Sequence, residues 1–329
     1  MKDNRAILEA AFNAWNQAAV FRRNRNRYKR FTYGDQWSDT TVKGNRSMSA
    51  AQAARAHGRR PMTNNLLRRL VKSVIGRFRY QRRETKPLTG QCADIYRLNN
   101  LDELDCRSLE EFLISGCTVQ RVCRERRLQG DGVWVDIVSP DRFFVNRIND
   151  PRGWDTELIG MIHDWSLTET TLRLAGPDRR LAQAIRKIYG EIAAGCAVPF
   201  ESLTGGSSFT NAPHGRCRVI EIWTLEACDR LRCHDTDKAT YFTLTPDHAD
   251  RLDNINTRRA ANGRRPIEWK WESSTMWRCR WMAPDGTVLH SHLSTAPDGR
   301  HPFQFRFYPM IDGEVHSLVE DVIDQQIYI

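Results

Sequence analysis

Apolar residues recur at helical spacing through the first quarter of the chain. Ile7, Leu8, Ala11, Trp15, Ala18 and Ala19 predict one helix over residues 3–27, with arginines gathered at its C-terminal end, where they suit the helix dipole. Gly34 breaks the chain inside an aromatic turn, Tyr33-Gly34-Asp35-Gln36-Trp37. Residues 40–59 are small and polar and are expected to form a mobile loop. A second helix runs from Asn64 or Asn65 to Tyr80, with Thr63, Asn64 and Asn65 each able to cap it. Its apolar stripe is Leu66, Leu67, Leu70, Val71, Val74, Ile75 and Phe78, and arginines and a lysine occupy much of the remainder. Gly76 inside that stretch costs about 1 kcal/mol, which predicts a close helix contact or a kink there. Residues 92–115 are helical again, with a break near Asn99-Asn100.

After Gly116 the period changes from helical to alternating. Cys117–Arg126 and Val133–Val138 flank Gly130-Asp131-Gly132 and predict a hairpin. Leu158–Trp165 is a further strand, and Ser166 with Glu169 resembles a capping box opening a helical stretch to about Ile192. Residues 201–215 are loop by composition. A β-rich part begins at Arg218, with strands at Val219–Leu225, Thr240–Thr245, Trp277–Ala283 and Gly286–Leu289. Pro246–Pro266 is polar and reads as a helical insertion, and another segment starts at His301-Pro302-Phe303. From Ser317 a last helix carries Leu318, Val319, Val322, Ile323 and Ile327 on one side. It stops at Ile329 with no capping glycine, basic last turn or polar tail. That ending is expected of a truncated reading frame or an N-terminal fragment, the alternative being a short native C-terminus docked on a partner.

These elements predict an α+β fold: N-terminal amphipathic helices, then antiparallel β-rich segments, ending inside a helix. The organisation expected is a basic helical region over 1–115, a mixed hairpin and helical region over 116–200, a β-rich region over 201–316 with a polar insertion at 246–266, and the start of a helix over 317–329. The length, 329 residues, allows two or three domains.

Charge sharpens this picture. The formal net charge is +10, yet residues 1–83 hold 20 Lys/Arg against 4 Asp/Glu, a balance of +16, leaving −6 for the remainder. Such polarity implies a polyanion or an acidic protein surface opposite the first quarter of the chain, or else a solvated basic face. Arg22, Arg23, Arg25, Arg27, Lys29 and Arg30 alternate with Phe21, Tyr28, Phe31 and Tyr33. Cations neutralise phosphates and aromatic rings stack on bases, so this segment is a candidate nucleic-acid contact, with Arg68, Arg69 and Lys72 of the second helix extending it. The same aromatics also read as core anchors, with the arginines pairing against acids of a neighbouring subunit. No run of about 18 apolar residues exists to span a membrane. The start, MKDNRAILEAAFNAW, lacks the apolar region and cleavage site of a secretory signal. Nine cysteines in no scaffold spacing read as reduced thiols of a cytosolic protein.

Catalytic motifs are missing: no phosphate loop, no H-E-x-x-H and no G-x-S-x-G. The nearest candidates for metal ligation are Cys228, Cys233 and His234 with Cys217, then His290, His292 and His301, then the carboxylates Glu320, Asp321 and Asp324. Each set also has a plain reading, as buried thiols, turn histidines and a solvated helix face, and no metal, cofactor or catalytic residue is assigned.

The order of several short segments resembles the N-terminal part of tailed-bacteriophage portal proteins. The carrying pieces are Tyr33–Trp37 after a basic aromatic helix, Arg60-Pro61 with Asn64-Asn65 and the helix through Gly76, Gly116–Val122, Ser139-Pro140 with Phe143 and Phe144, and His301–Ile329, where Val319, Asp321, Asp324 and Gln325 or Gln326 look like the approach to a portal stem. Pro246–Pro266 departs from that pattern. The resemblance implies a wing-like fold and a homo-oligomeric ring of about a dozen copies at a capsid vertex, passing double-stranded DNA. It also implies a terminase packaging motor, capsid and scaffold proteins as partners, the virion as location with host cytoplasm during assembly, and no catalytic residue or cofactor. The alternative expectation is a nucleic-acid-binding protein, or a metal-dependent nuclease, with a basic N-terminal arm.

Overall fold

The computed structural model describes residues 4–43, 46–83, 90–150, 152–190, 209–244, 248–296, 299–308, 310–311 and 313–328. They form the α+β arrangement of helices and antiparallel sheets that the sequence predicts. The chain divides into two compact units, one of Met1–Ile222, Arg280–His290 and Pro302–Ile329, the other of Trp223–Cys279 and Ser291–His301. Among the described residues no helix is long and apolar enough to cross a membrane.

In the first unit the expected single N-terminal helix is two, α1 (Asn4–Gln17) and α2 (Ala19–Thr32), separated at Ala18. Ile7, Ala11 and Ala14 of α1 pack on Phe144, Leu158, Ile162, Ile220, Ile222 and Met282, and this contact aims α1 at the sheet. Residues 40–59 are not the predicted loop. They contain β1 (Thr40–Lys43) paired with β2 (Arg46–Ser49), followed by α3 (Ala50–Ala56). Ser49 caps α3 in a reciprocal capping box with Gln52, and the amides of Ala50 and Ala51 donate to the carbonyls of Asp39 and Trp37. Local capping chemistry thus orders a stretch with little apolar content.

The next helix, α4 (Leu66–Arg83), passes unbroken through Gly76, and a Cβ built there meets nothing within 4 Å. The predicted close contact is absent among the described residues. Then come α5 (Gln91–Asn99) and α6 (Leu101–Ser115), divided as expected at Asn100, whose φ of 49° places it in the left-handed region. The last helix, α10 (Leu318–Tyr328), joins α2, α4 and α6 around Tyr28, Phe31, Leu67, Val71, Ile75, Cys106, Ile114, Val319 and Ile323. Each aliphatic side chain buried here contributes about 1.5–3 kcal/mol.

The hairpin is β3 (Cys117–Arg127) and β4 (Gly130–Ile137). Its turn is Leu128-Gln129, because Arg127 faces Gly130 in the register and Gly132 lies inside the strand. β11 (Phe303–Phe307) adds to the other edge of β3. Gly116 joins α6 to β3 at φ 72°, with a built Cβ only 1.9 Å from the His316 carbonyl, so no side chain fits. β5 (Phe143–Val145) pairs with β6 (Leu158–Trp165), and beyond β6 follow β7 (Cys217–Asp235), β9 (Glu268–Met282) and β10 (Val288–Leu293). The helical stretch after Ser166 is two helices, α7 (Leu167–Leu174) and α8 (Arg179–Tyr189), parted at Gly176-Pro177; Ser166 accepts from the Glu169 amide and Asp178 caps α8. Of the loop expected at 201–215, residues 201–208 lie outside the described residues.

The second unit consists of the remaining lengths of β7 and β9, with β8 (Thr240–Leu244) paired to β7. The insertion is helical as predicted, α9 (Ala249–Ala261). Leu252 of α9 is buried with Leu231, Cys233 and Ile267, which makes a small core of its own.

Candidate functional site

The basic helix α2 does not present all its cations outward. Its buried stripe is Arg22, Arg25, Tyr28, Phe31 and Thr32, so two arginines occupy positions that an apolar residue would fill. The Arg25 guanidinium donates to both Glu111 oxygens at 2.7 Å and to Asp141 Oδ2 at 2.5 Å. Burial works against its charge, but Glu111 and Asp141 outweigh burial and hold its pKa above the ordinary arginine value. Arg22 lies over the Trp15 ring, 3.7 Å from its centroid, and donates to the Trp15 carbonyl. Both residues were expected at a nucleic-acid or subunit contact, and the structure engages both within the chain.

Three further candidates are partly engaged. Arg27 and Arg30 meet Asp39 at 2.8 and 3.2 Å, which ties the end of α2 to the segment before β1, and Lys72 meets Glu110 at 3.2 Å. The remaining four, Arg23, Lys29, Arg68 and Arg69, are exposed and make no ion pair with a described residue. Arg77 of α4, outside the predicted set, is exposed in the same way.

Beside these helices the chain joins segments that are far apart in sequence. Gln326 of α10 is buried; its Oε1 accepts from the Leu66 amide at 2.9 Å and its Nε2 donates to the Asn64 carbonyl at 2.6 Å and to Gln36 Oε1 at 3.1 Å. Asn65 caps α4 through the Arg68 amide and donates to the Thr32 carbonyl at 2.8 Å. Trp37 Nε1 donates to Thr63 Oγ1 at 3.0 Å. Glu320 forms a capping box with Ser317 and accepts from the Tyr28 hydroxyl, whose pKa burial and Glu320 together raise. Of the three carboxylates weighed from sequence, Glu320 is therefore a helix cap, while Asp321 and Asp324 are exposed.

Sequence reasoning missed a buried ionic cluster between the sheet of β3 and the sheet of β6 and β7, within the first unit. Arg121 of β3 donates to Glu221 of β7 at 2.8 Å and to Glu125 at 3.1 Å, and His163 of β6 lies 2.8 Å from Glu221 Oε2. Arg127 and Arg173 also meet Glu125, at 2.6 and 2.7 Å, while Trp165 and Trp281 flank His163 with ring centroids at 4.4 and 5.3 Å. Burial pushes the Glu125 carboxyl up, but Arg121, Arg127 and Arg173 bring it down to about 2. Burial lowers the pKa of His163 despite its contact with Glu221, so the imidazole is held neutral. The signal in the sequence was a charged residue in phase with apolar ones, as Arg121 follows Cys117 and Val119, and Glu221 inside Val219–Trp223.

The cysteine and histidine sets weighed from sequence do not come together as metal sites among the described residues. Cys233 is buried in the core under α9, while His234 stacks on Tyr241 with centroids 4.3 Å apart. His292 abuts Trp223 and His301 abuts Trp277. Among the described residues no group of three or more His, Cys, Asp or Glu could hold a metal ion. The eight described cysteines are free thiols. No protein-family model matches the chain, and no curated protein matches it.

Proposed function

We propose that this chain is a structural subunit of a tailed-bacteriophage portal, one copy in a ring that passes DNA and engages packaging-motor, capsid and scaffold partners. The observation that carries the reading is the convergence on Gln326. Three of the segments that carry the family resemblance, Tyr33–Trp37, Asn64-Asn65 and Val319–Gln326, are joined by hydrogen bonds to Gln326 and close one helical bundle. Short motifs scattered over the chain thereby become one three-dimensional arrangement. In a ring, each copy uses two different complementary faces, and the exposed Arg23, Lys29, Arg68 and Arg69 supply positive charge to an acidic neighbour or to DNA. The test is the mass of the purified full-length protein by light scattering, with particle images from negative-stain microscopy. Closed high-mass rings are expected, and a strict monomer at every concentration overturns the reading.

The same four cations, which make no ion pair with a described residue, favour a second reading, a monomeric nucleic-acid-binding protein. Its mark is duplex affinity that falls steeply with salt and whose salt slope flattens when Arg23, Lys29, Arg68 and Arg69 become glutamine.

A further inference from the structure

On the second unit, strand alternation divides the sheet into two faces. Leu231, Cys233 and Ile267 turn toward α9, so Arg232 and His234 turn away from it. The register sets Tyr241 of β8 directly opposite His234, and the two rings lie nearly parallel, at 10° with centroids 4.3 Å apart. The Arg232 guanidinium is 5.8 Å from the Tyr241 ring. A shallow cleft of about 430 Å³ opens here, lined by Arg232, His234, Tyr241, Glu268, Trp269 and Lys270 among others. Tyr241 leaves 68% of its surface in water. The charges in the cleft are only loosely matched with one another: Arg232 to Glu272 at 3.4 Å and His234 to Glu268 at 3.8 Å, while Lys270 makes no ion pair with a described residue.

A pre-stacked pair of rings offers a π surface. Arg232 and Lys270 offer ligands for a phosphate, and the Glu268 carboxylate is an acceptor for an amine. Adenine and cytosine carry an exocyclic amine that donates to a carboxylate; thymine does not. Carboxylates between the cations make this face a poor match for the continuous phosphate rail of a duplex, whose bases are in any case stacked out of reach. We propose that the cleft binds a single nucleotide unit with an amino base, its ring against the Tyr241–His234 pair, its phosphate at Arg232 and Lys270 and its amine at Glu268. A free nucleotide and an unpaired nucleotide of a single strand share this chemistry. The inference stands apart from the portal reading, which gives the second unit no ligand.

The experiment is calorimetric titration of the full-length protein with dAMP, dCMP, dTMP and an oligo-deoxyadenylate. The expected result is binding of dAMP and dCMP about tenfold or more tighter than dTMP. Tyr241→Ala and Lys270→Gln each weaken binding by about tenfold, the lower part of what loss of base stacking gives, at an unchanged melting temperature, and Arg180→Gln, at an exposed position of α8 that does not line the cleft, has no effect. Equal affinity for dAMP and the oligomer identifies the free nucleotide as ligand; binding of the oligomer alone, with the same sensitivity to Tyr241→Ala, identifies the strand. The proposal is overturned by the absence of heat with every probe, by dTMP binding as tightly as dAMP, by indifference to Tyr241→Ala, or by equal loss in Arg180→Gln.

Discussion

The arginines of α2 have unequal work, and substitution separates them. Arg25→Met strips Glu111 and Asp141 of their shared cation and should cost about 3 kcal/mol, the low end for a buried pair because Asp141 keeps 32% of its side-chain surface in water. Arg69→Gln, at an exposed site with no ion pair to a described residue, should stay within about 0.5 kcal/mol of wild type. Urea denaturation of both variants checks this, and equal values would mean that the inward face of α2 is misassigned. Gly76→Ala should stabilise the protein by about 0.5–1 kcal/mol, since the new methyl meets nothing within 4 Å and the helix loses its most flexible residue; a loss of stability would mean the site is more crowded than it looks. Residue by residue, the sequence was legible wherever an apolar residue marked the core, as at Leu67, Val71 and Ile75. It was opaque at Arg22, Arg25, Arg121 and Glu221, because a charge is ordinarily read as a surface position and its buried partner lies a hundred residues away, as Glu221 does from Arg121.

Among the elements, those with strong periodicity were foreseen with their type correct: α4, the hairpin of β3 and β4, β6 and α10. Failures came where capping or turn chemistry outweighs hydrophobic pattern. The Ser49–Gln52 box orders α3, Gly176-Pro177 splits one expected helix in two, and the hairpin turns at Leu128-Gln129 instead of at the nearby glycines. Of the candidate basic surface, four of nine cations stand exposed without an ion pair to a described residue, a division that only the fold reveals. Helix termini also carry long-range bonds that no local pattern shows. The first amide of α4 finds its acceptor in Gln326, and Gln326→Ala should cost about 1–3 kcal/mol, because Leu66 N–H and Gln36 lose their buried partner. Hydrogen exchange should show faster turnover at Leu66 and Leu67 than at Val71. Unaltered protection at both amides would deny Gln326 its capping role.

At the scale of the whole molecule, the cluster around His163 ties acid sensitivity to the join between two sheets. Burial holds the imidazole pKa below its ordinary 6.5, so the unfolded chain takes up the proton first and stability falls as pH drops below about 6.5. Glu125 acts lower: its contribution is present above its ordinary 4.5 and drains away as pH falls toward about 2. Urea midpoints between about pH 8 and pH 5 should slope downward for the wild type and flatten in His163→Gln, which keeps a donor for Glu221 without the titration. Parallel slopes would show that His163 is not the group responsible. One further consequence belongs to the order in which the chain is made. The bundle around Phe31, Leu67 and Ile114 closes on Val319 and Ile323, and the first unit receives Arg280–His290 after most of the second unit, and Pro302–Ile329 after all of it, has been translated. Until those stretches emerge from the ribosome, the apolar side chains that Val319 and Ile323 cover stand bare on the nascent polypeptide, the condition under which aggregation competes with folding.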